Sequence, residues 1–145
     1  MAETNETAIA KQDVSTIMAG GVGNSYCSIK VDPTDRKTAA KVYNALNNPE
    51  YRIADFINKD IFVSDVLVEV AEVMNEETGE LEHAPRVVLI DDKGSAYQSV
   101  SIGMLNVVKN AVKVFGEPTW EPPLVMTIKQ KPVGRGSMLT AEVKG

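Results

Sequence analysis

The residue types that most often carry catalysis are scarce in this chain. Its 145 residues include one cysteine, Cys27, and one histidine, His83. A nucleophilic pair would need both, with a third group to orient the base, and nothing near either in sequence supplies it. The same count excludes a zinc site built from cysteine and histidine ligands. Asp91 and Asp92 precede Lys93-Gly94, a pattern that suits a tight turn better than a cation site. Gly20-Gly21-Val22-Gly23 lacks the Lys-Ser/Thr that completes a phosphate loop, and no strand leads into it. We therefore expect no catalytic residues, no bound metal and no cofactor.

A second set of residues suits binding. Arg86, Lys93, Lys129, Lys131 and Arg135 are cations that could neutralise phosphates, an attraction that weakens as salt rises. Tyr97 offers a ring on which a base of any identity can stack, a contact worth about 1–3 kcal/mol. Trp120 is a further candidate for stacking. Each has an ordinary alternative. Arg86 could pair with an acid on a neighbouring strand, Tyr97 could close one end of a core, and Trp120 could be a packed anchor.

Net charge is -5, which by itself argues against a partner rich in phosphates. The charge is unevenly placed, however. Between positions 65 and 82 there are seven acids and no lysine or arginine. Between 124 and 145, Lys129, Lys131, Arg135 and Lys144 stand against Glu142 alone. An acidic protein can thus carry a local basic face. No apolar run is long enough to span a bilayer, and the polar N-terminal residues do not read as a secretory signal. With one cysteine there is no internal disulfide. Together these features lead us to expect a cytoplasmic protein.

The elements that must position these residues follow from periodicity. Residues 1–23 show neither helical nor strand spacing and read as a flexible tail. A domain of 24–145 follows. Residues 25–31 alternate as a short strand. Asp32 and Pro33 are suited to open a helix whose apolar stripe is Ala39, Val42, Tyr43 and Leu46. Residues 61–74 form the strongest strand signal, with Phe62, Ser64, Val66, Val68 and Val70 on one face and a slip in phase at Ala71–Glu72. A turn over 75–79 leads to a strand at 84–91. Asp92-Lys93-Gly94 turns that strand back into another at 95–100. Ser101 can cap a helix with the stripe Ile102, Leu105, Val108, Val112 and Phe115, and Gly116 can end it. The connection over 117–123, with its three prolines and Trp120, is expected to be ordered. Strands at 124–131 and 138–143 complete the chain.

The order strand, strand, strand, helix, strand, strand is that of an OB-type barrel. The fold class expected is therefore mainly β with helices (α+β): a five-stranded barrel with a helix between its third and fourth strands, preceded by an extra strand and helix. In such barrels oligonucleotides lie across the second and third strands, between the first and fourth hairpin loops. The first of those loops, at 75–83, carries Glu76, Glu77, Glu80 and Glu82 and should repel phosphates. A nucleic-acid path should lean toward Arg135.

The stretch APRVVLIDDKGSAYQSVSIGMLNVVKNAVKVFGEPTW, residues 84–120, resembles small OB-fold single-stranded DNA-binding proteins of Gram-positive phages and conjugative plasmids. The likeness is carried by the Asp-Lys-Gly hairpin, the Tyr before Ser-Val-Ser, and the Phe-Gly-Glu-Pro-Thr-Trp ending. It implies binding of single-stranded DNA without sequence preference, assembly along the strand in conjugation or phage replication, and a tail that links neighbours. Unlike the housekeeping bacterial single-strand binders, the chain has no long Gly/Pro-rich linker and no acidic tip. The rival reading is an OB module that binds other proteins, favoured by the overall acidity and the acidic first loop.

Overall fold

In a computed structural model, residues 25–32, 34–134 and 136–144 are described. The expectations placed on the 1–23 tail, on Pro33 and on Arg135 fall outside them. The apolar alternation at 61–74 becomes the central strand, β3 (Asp60–Met74). One edge of β3 pairs with β4 (Leu81–Asp91). The other edge is shared by β1 (Ser25–Cys27) and β6 (Leu124–Val133). β4 turns back into β5 (Ala96–Val100), and β6 into β7 (Gly136–Val143). A two-residue strand, β2 (Tyr51–Arg52), extends the sheet beyond β5 in parallel.

The resulting order is β2-β5-β4-β3-β6-β7. Among the described residues no ladder joins β5 to β7, so the curled sheet is a half-barrel. Helix α1 (Arg36–Asn47) precedes β2, and helix α2 (Ile102–Phe115) lies between β5 and β6. The five strands β3 to β7 with α2 after the third are the OB arrangement. α2 packs against β7 and β4. Gly103 permits this approach, because a Cβ there would overlap the Leu139 carbonyl.

Local chemistry sets the boundaries. The Ser101 hydroxyl accepts from the Met104 N–H at 3.2 Å and opens α2, and Gly116, at φ 85°, ends it. α1 starts later than expected. Its cap is Asp35, which accepts from the Thr38 N–H at 3.3 Å, while Asp32 instead accepts from the Thr34 N–H and hydroxyl. Those two bonds, the backbone one foremost, hold the Asp32 carboxyl below its ordinary pKa.

The main core lies inside the curled sheet and gathers Ile53, Val63, Val66, Leu89, Met104, Met126 and Ile128, all without solvent exposure. Each such side chain stabilises the fold by roughly 1.5–3 kcal/mol relative to exposure. A smaller core lies on the opposite face. There Val42, Ala45 and Leu46 of α1 rest on Leu67, Val88, Ile90 and Ala96.

Four expectations change. The break in β3 falls between Val63 and Asp65, not at Ala71–Glu72, where pairing with β4 continues without a shift. Both phases of this strand are apolar, so alternation alone could not locate it. The extra residue makes Ile61 and Val63 core residues before it, Val66 and Val68 after it, and leaves Phe62 47% exposed. The α2 stripe is rotated: Met104, Val108 and Ala111 are buried, whereas Ile102 and Phe115 face solvent. Tyr43 points away from the sheet that α1 covers. Cys27, on a strand, where a lone cysteine ordinarily packs in a core, is exposed, because the adjacent Tyr26 takes the inward position. The 117–123 connection is tied down as expected. The Trp120 backbone N–H donates to Ser64 at 2.9 Å, and the Thr119 hydroxyl donates to the buried Asp65 carboxylate.

Candidate nucleic-acid interface

The β4–β5 hairpin turn gathers several candidates. Asp91 closes the turn, accepting from the Lys93 and Ser95 N–H groups at 2.9 and 2.8 Å. Gly94 takes φ 90°, a conformation that side chains resist. The second oxygen of Asp91 accepts from the Tyr97 hydroxyl at 2.9 Å. Burial, and then this bond and the charge of Asp91, push the Tyr97 phenol well above its ordinary pKa. Lys93 is thus presented at an exposed tip whose base is fixed by a buried carboxylate.

Tyr97 is 8% exposed, so its ring belongs to the core more than to the surface. It does not stand alone. The parallel pairing of β2 with β5 sets Tyr51 beside it, the two rings stacked at 5.0 Å between centroids and 26° between planes. Phe56 meets both edge-on, at 5.3 Å from Tyr51 and 5.0 Å from Tyr97. Tyr51 is the exposed member, at 42%. The Lys59 ammonium stands 5.7 Å from the Phe56 ring centroid. Tyr51, Phe56 and Lys59 were not singled out in the sequence. They lie in a two-residue strand and a 3-10 turn (Ile53–Phe56), too short to show a period. The available signal was composition: two aromatic residues interleaved with Arg52 and Lys59.

Lys129 continues this end of the molecule. Its ammonium lies 3.4 Å from the Asn58 side-chain oxygen and 3.9 Å from a Glu142 carboxylate oxygen. The backbone of Ile128 exchanges hydrogen bonds with Asn58 and Lys59, which brings β6 against the segment that carries Phe56. Lys131 is exposed farther along β6 and makes no ion pair among the described residues. Asp60, beside Lys129, has its carboxyl pKa lowered first by the Thr127 hydroxyl at 2.6 Å and then by Lys144 at 3.2 Å.

Two candidates are placed elsewhere. Arg86 sits on the face that α1 covers, with its side chain 12% exposed. Its guanidinium donates to Glu69 at 2.8 Å, to the Leu46 carbonyl at 2.6 Å and to Gln98 at 3.1 and 3.2 Å. The pairing with an acid on a neighbouring strand, left open by the sequence, is the arrangement found. Trp120 is 5% exposed, packs in the main core and donates its indole N–H to the Gly116 carbonyl at 3.0 Å.

The acidic hairpin tip, with Glu76, Glu77 and Glu80 exposed, stands at the other end of β4 from Lys93. Ten residue steps from Leu81 to Asp91 separate the two ends, about 34 Å along an extended strand. Cys27 pairs with Leu67 and His83 with Glu72, five positions apart on β3. At about 17 Å along the strand, they form no nucleophile–base pair.

A half-open β-barrel whose ring stack exposes Tyr51 among flanking cations has the form of a binding module. The chain belongs to the Phi29-type family of phage single-stranded DNA-binding proteins, whose family model matches residues 25–141. That match spans all of the described strands but the last two residues of β7, and both helices. Comparison with curated proteins gave no match, and comparison with solved structures gave none.

Proposed function

We propose that this protein binds single-stranded DNA without sequence preference and without catalysis, coating it during phage replication or plasmid conjugation. The observation that carries the site is the Tyr51–Tyr97 stack with Phe56 at its edge. Tyr51 offers a base its exposed surface, while Tyr97 and Phe56 fix its plane from behind. Such a platform does not discriminate between bases, because every base has a π face. Lys93, Lys59, Lys129 and Lys131 flank it and attract the backbone. Arg86 holds α1 and β3 to β4 in this reading, and Trp120 anchors the 117–123 connection. Arg135, four residues after Lys131 in sequence, adds a further cation to this reading.

Titration with oligo-dT tests the proposal. Tyrosine fluorescence should be quenched, and affinity should fall as salt rises. Trp120 emission should change little. Absence of binding at low salt would overturn the reading.

Assembly along the DNA through residues 1–23 belongs to the same proposal. Its support is the scatter of Ala8, Ile9, Val14, Ile17 and Met18 in a segment without core-forming periodicity. Deletion of residues 1–18 should lower the oligomer mass in light scattering; an unchanged mass would remove the idea.

A further inference from the structure

α1 covers the outer face of β3, β4 and β5 at Leu67, Val88, Ile90 and Ala96. That is the face on which an OB barrel ordinarily lays its ligand. A strand of DNA at the Tyr51 platform therefore meets α1, not open sheet, on this side of the hairpin. The helix carries Lys37 and Lys41 one turn apart, about 6 Å along its axis. Both are exposed, and neither makes an ion pair among the described residues. The Lys41 side chain reaches the β4–β5 turn: its Cε lies 3.8 Å from where a Cβ on Gly94 would stand. Lys93 is the adjacent residue of that turn.

From Lys41 a chain of contacts leads through the turn to the ring stack. Gly94 donates to the Asp91 backbone at 3.0 Å, Asp91 accepts from Tyr97, and Tyr97 stacks on Tyr51. The acids nearby are mostly engaged. Asp91 is used by the turn, Asp35 caps α1, and Asp32 is held by Thr34; Asp92 and Glu50 remain as exposed counter-charges.

We propose that Lys37 and Lys41 of α1, together with Lys93, form a strip that holds the phosphate backbone of single-stranded DNA whose bases stack at Tyr51. The helix that closes the usual groove supplies the phosphate contacts in its place. This rests on the DNA-binding reading above but adds residues and a path to it.

The test is the salt dependence of oligo-dT binding by the full chain. Each phosphate contact on a single strand contributes about 0.7 to the slope of log K against log salt. Lys37→Ala/Lys41→Ala should lower the slope by about 1.4, while Lys37→Arg/Lys41→Arg keeps it. Lys113→Ala, on the distant helix α2, should leave it unchanged. An unchanged slope in the double alanine variant overturns the strip. So does an equal drop for Lys113→Ala, which would reflect net charge alone. Tyr51→Ala separates the two readings: if it keeps full affinity while the lysine variant loses slope, the platform falls and the strip stands. If Tyr51→Ala weakens binding while the lysine variant keeps its slope, only the strip falls. If the unmodified protein does not bind oligo-dT, both fall.

Discussion

Arg86 and Lys93 stand near opposite ends of the β4–β5 hairpin, with the same charge and opposite circumstances. Arg86 is enclosed by Glu69, Gln98 and the end of α1, and every direction of its guanidinium fork but one edge is satisfied within the protein. Lys93 stands on an exposed tip, and its own backbone is what the protein uses. One end of the hairpin is thus occupied with holding the fold, and the other is free to hold something else. A positive charge in a sequence becomes a binding group only when the fold leaves it without work.

The sharpest way to break this comparison is to remove Arg86. Arg86→Ala strips hydrogen bonds from the Leu46 carbonyl and Gln98 and should cost about 2 kcal/mol of stability in urea denaturation. The Glu69 pair adds little, because that carboxylate is substantially exposed. The folded variant should bind oligo-dT within about twofold of the parent, well short of the effect of a lost phosphate contact. A loss of affinity with no loss of stability would reverse the roles assigned to the two ends.

Tyr51→Ala probes the other end, and should weaken DNA binding by about 1–3 kcal/mol with little change in unfolding midpoint. Tyr97→Phe is expected to be milder. It leaves the stack in place and removes one bond to Asp91, for about 1 kcal/mol of stability. Tyr97 also gives a pH signature. Its pKa is raised in the folded state, so its contribution is fully present below the ordinary phenol value of about 10. It is lost as pH climbs through the raised value. Burial, helped by the charges of Glu117, Cys27 and Asp65, likewise pushes Tyr26 up to about 12. Absorbance titration of phenolate should therefore show two late hydroxyls, and Tyr97→Phe should remove one. The smallest effect is expected for Lys131→Ala, a reduction of about 0.7 in the salt slope without loss of stability.

The hairpin end of this comparison was partly legible in the sequence. Asp-Lys-Gly names its turn, and Ser101 and Gly116 bracket α2, because these signals act through their own backbone. The strand order followed from the same local marks. What escaped were the relations between distant segments. Arg86 is satisfied by residues from α1, β3 and β5, and no window of sequence contains all three. The ring stack depends on a parallel pairing of only two residues, Tyr51 with Tyr97 and Arg52 with Gln98. α1 could be read as a helix from its stripe, but its seat on the outer sheet face could not. That seat depends on Leu67, Val88 and Ile90 being apolar on the side where an open groove would be wetter.

The bulge between Val63 and Asp65 has a consequence for how this chain tolerates change. Before it, odd positions of β3 enter the main core and even ones do not; after it, even positions enter that core, while the odd Leu67 lies in the smaller core under α1. A substitution map of the strand should therefore show a parity switch at Ser64, with Phe62 permissive and Val66 strict although both are even-numbered. The bulge carbonyl receives the Trp120 N–H, so the same point also fixes where the chain re-enters the barrel after α2. Removing one residue there would put β3 into a single phase, and would ask the 117–123 connection to find a different place to land.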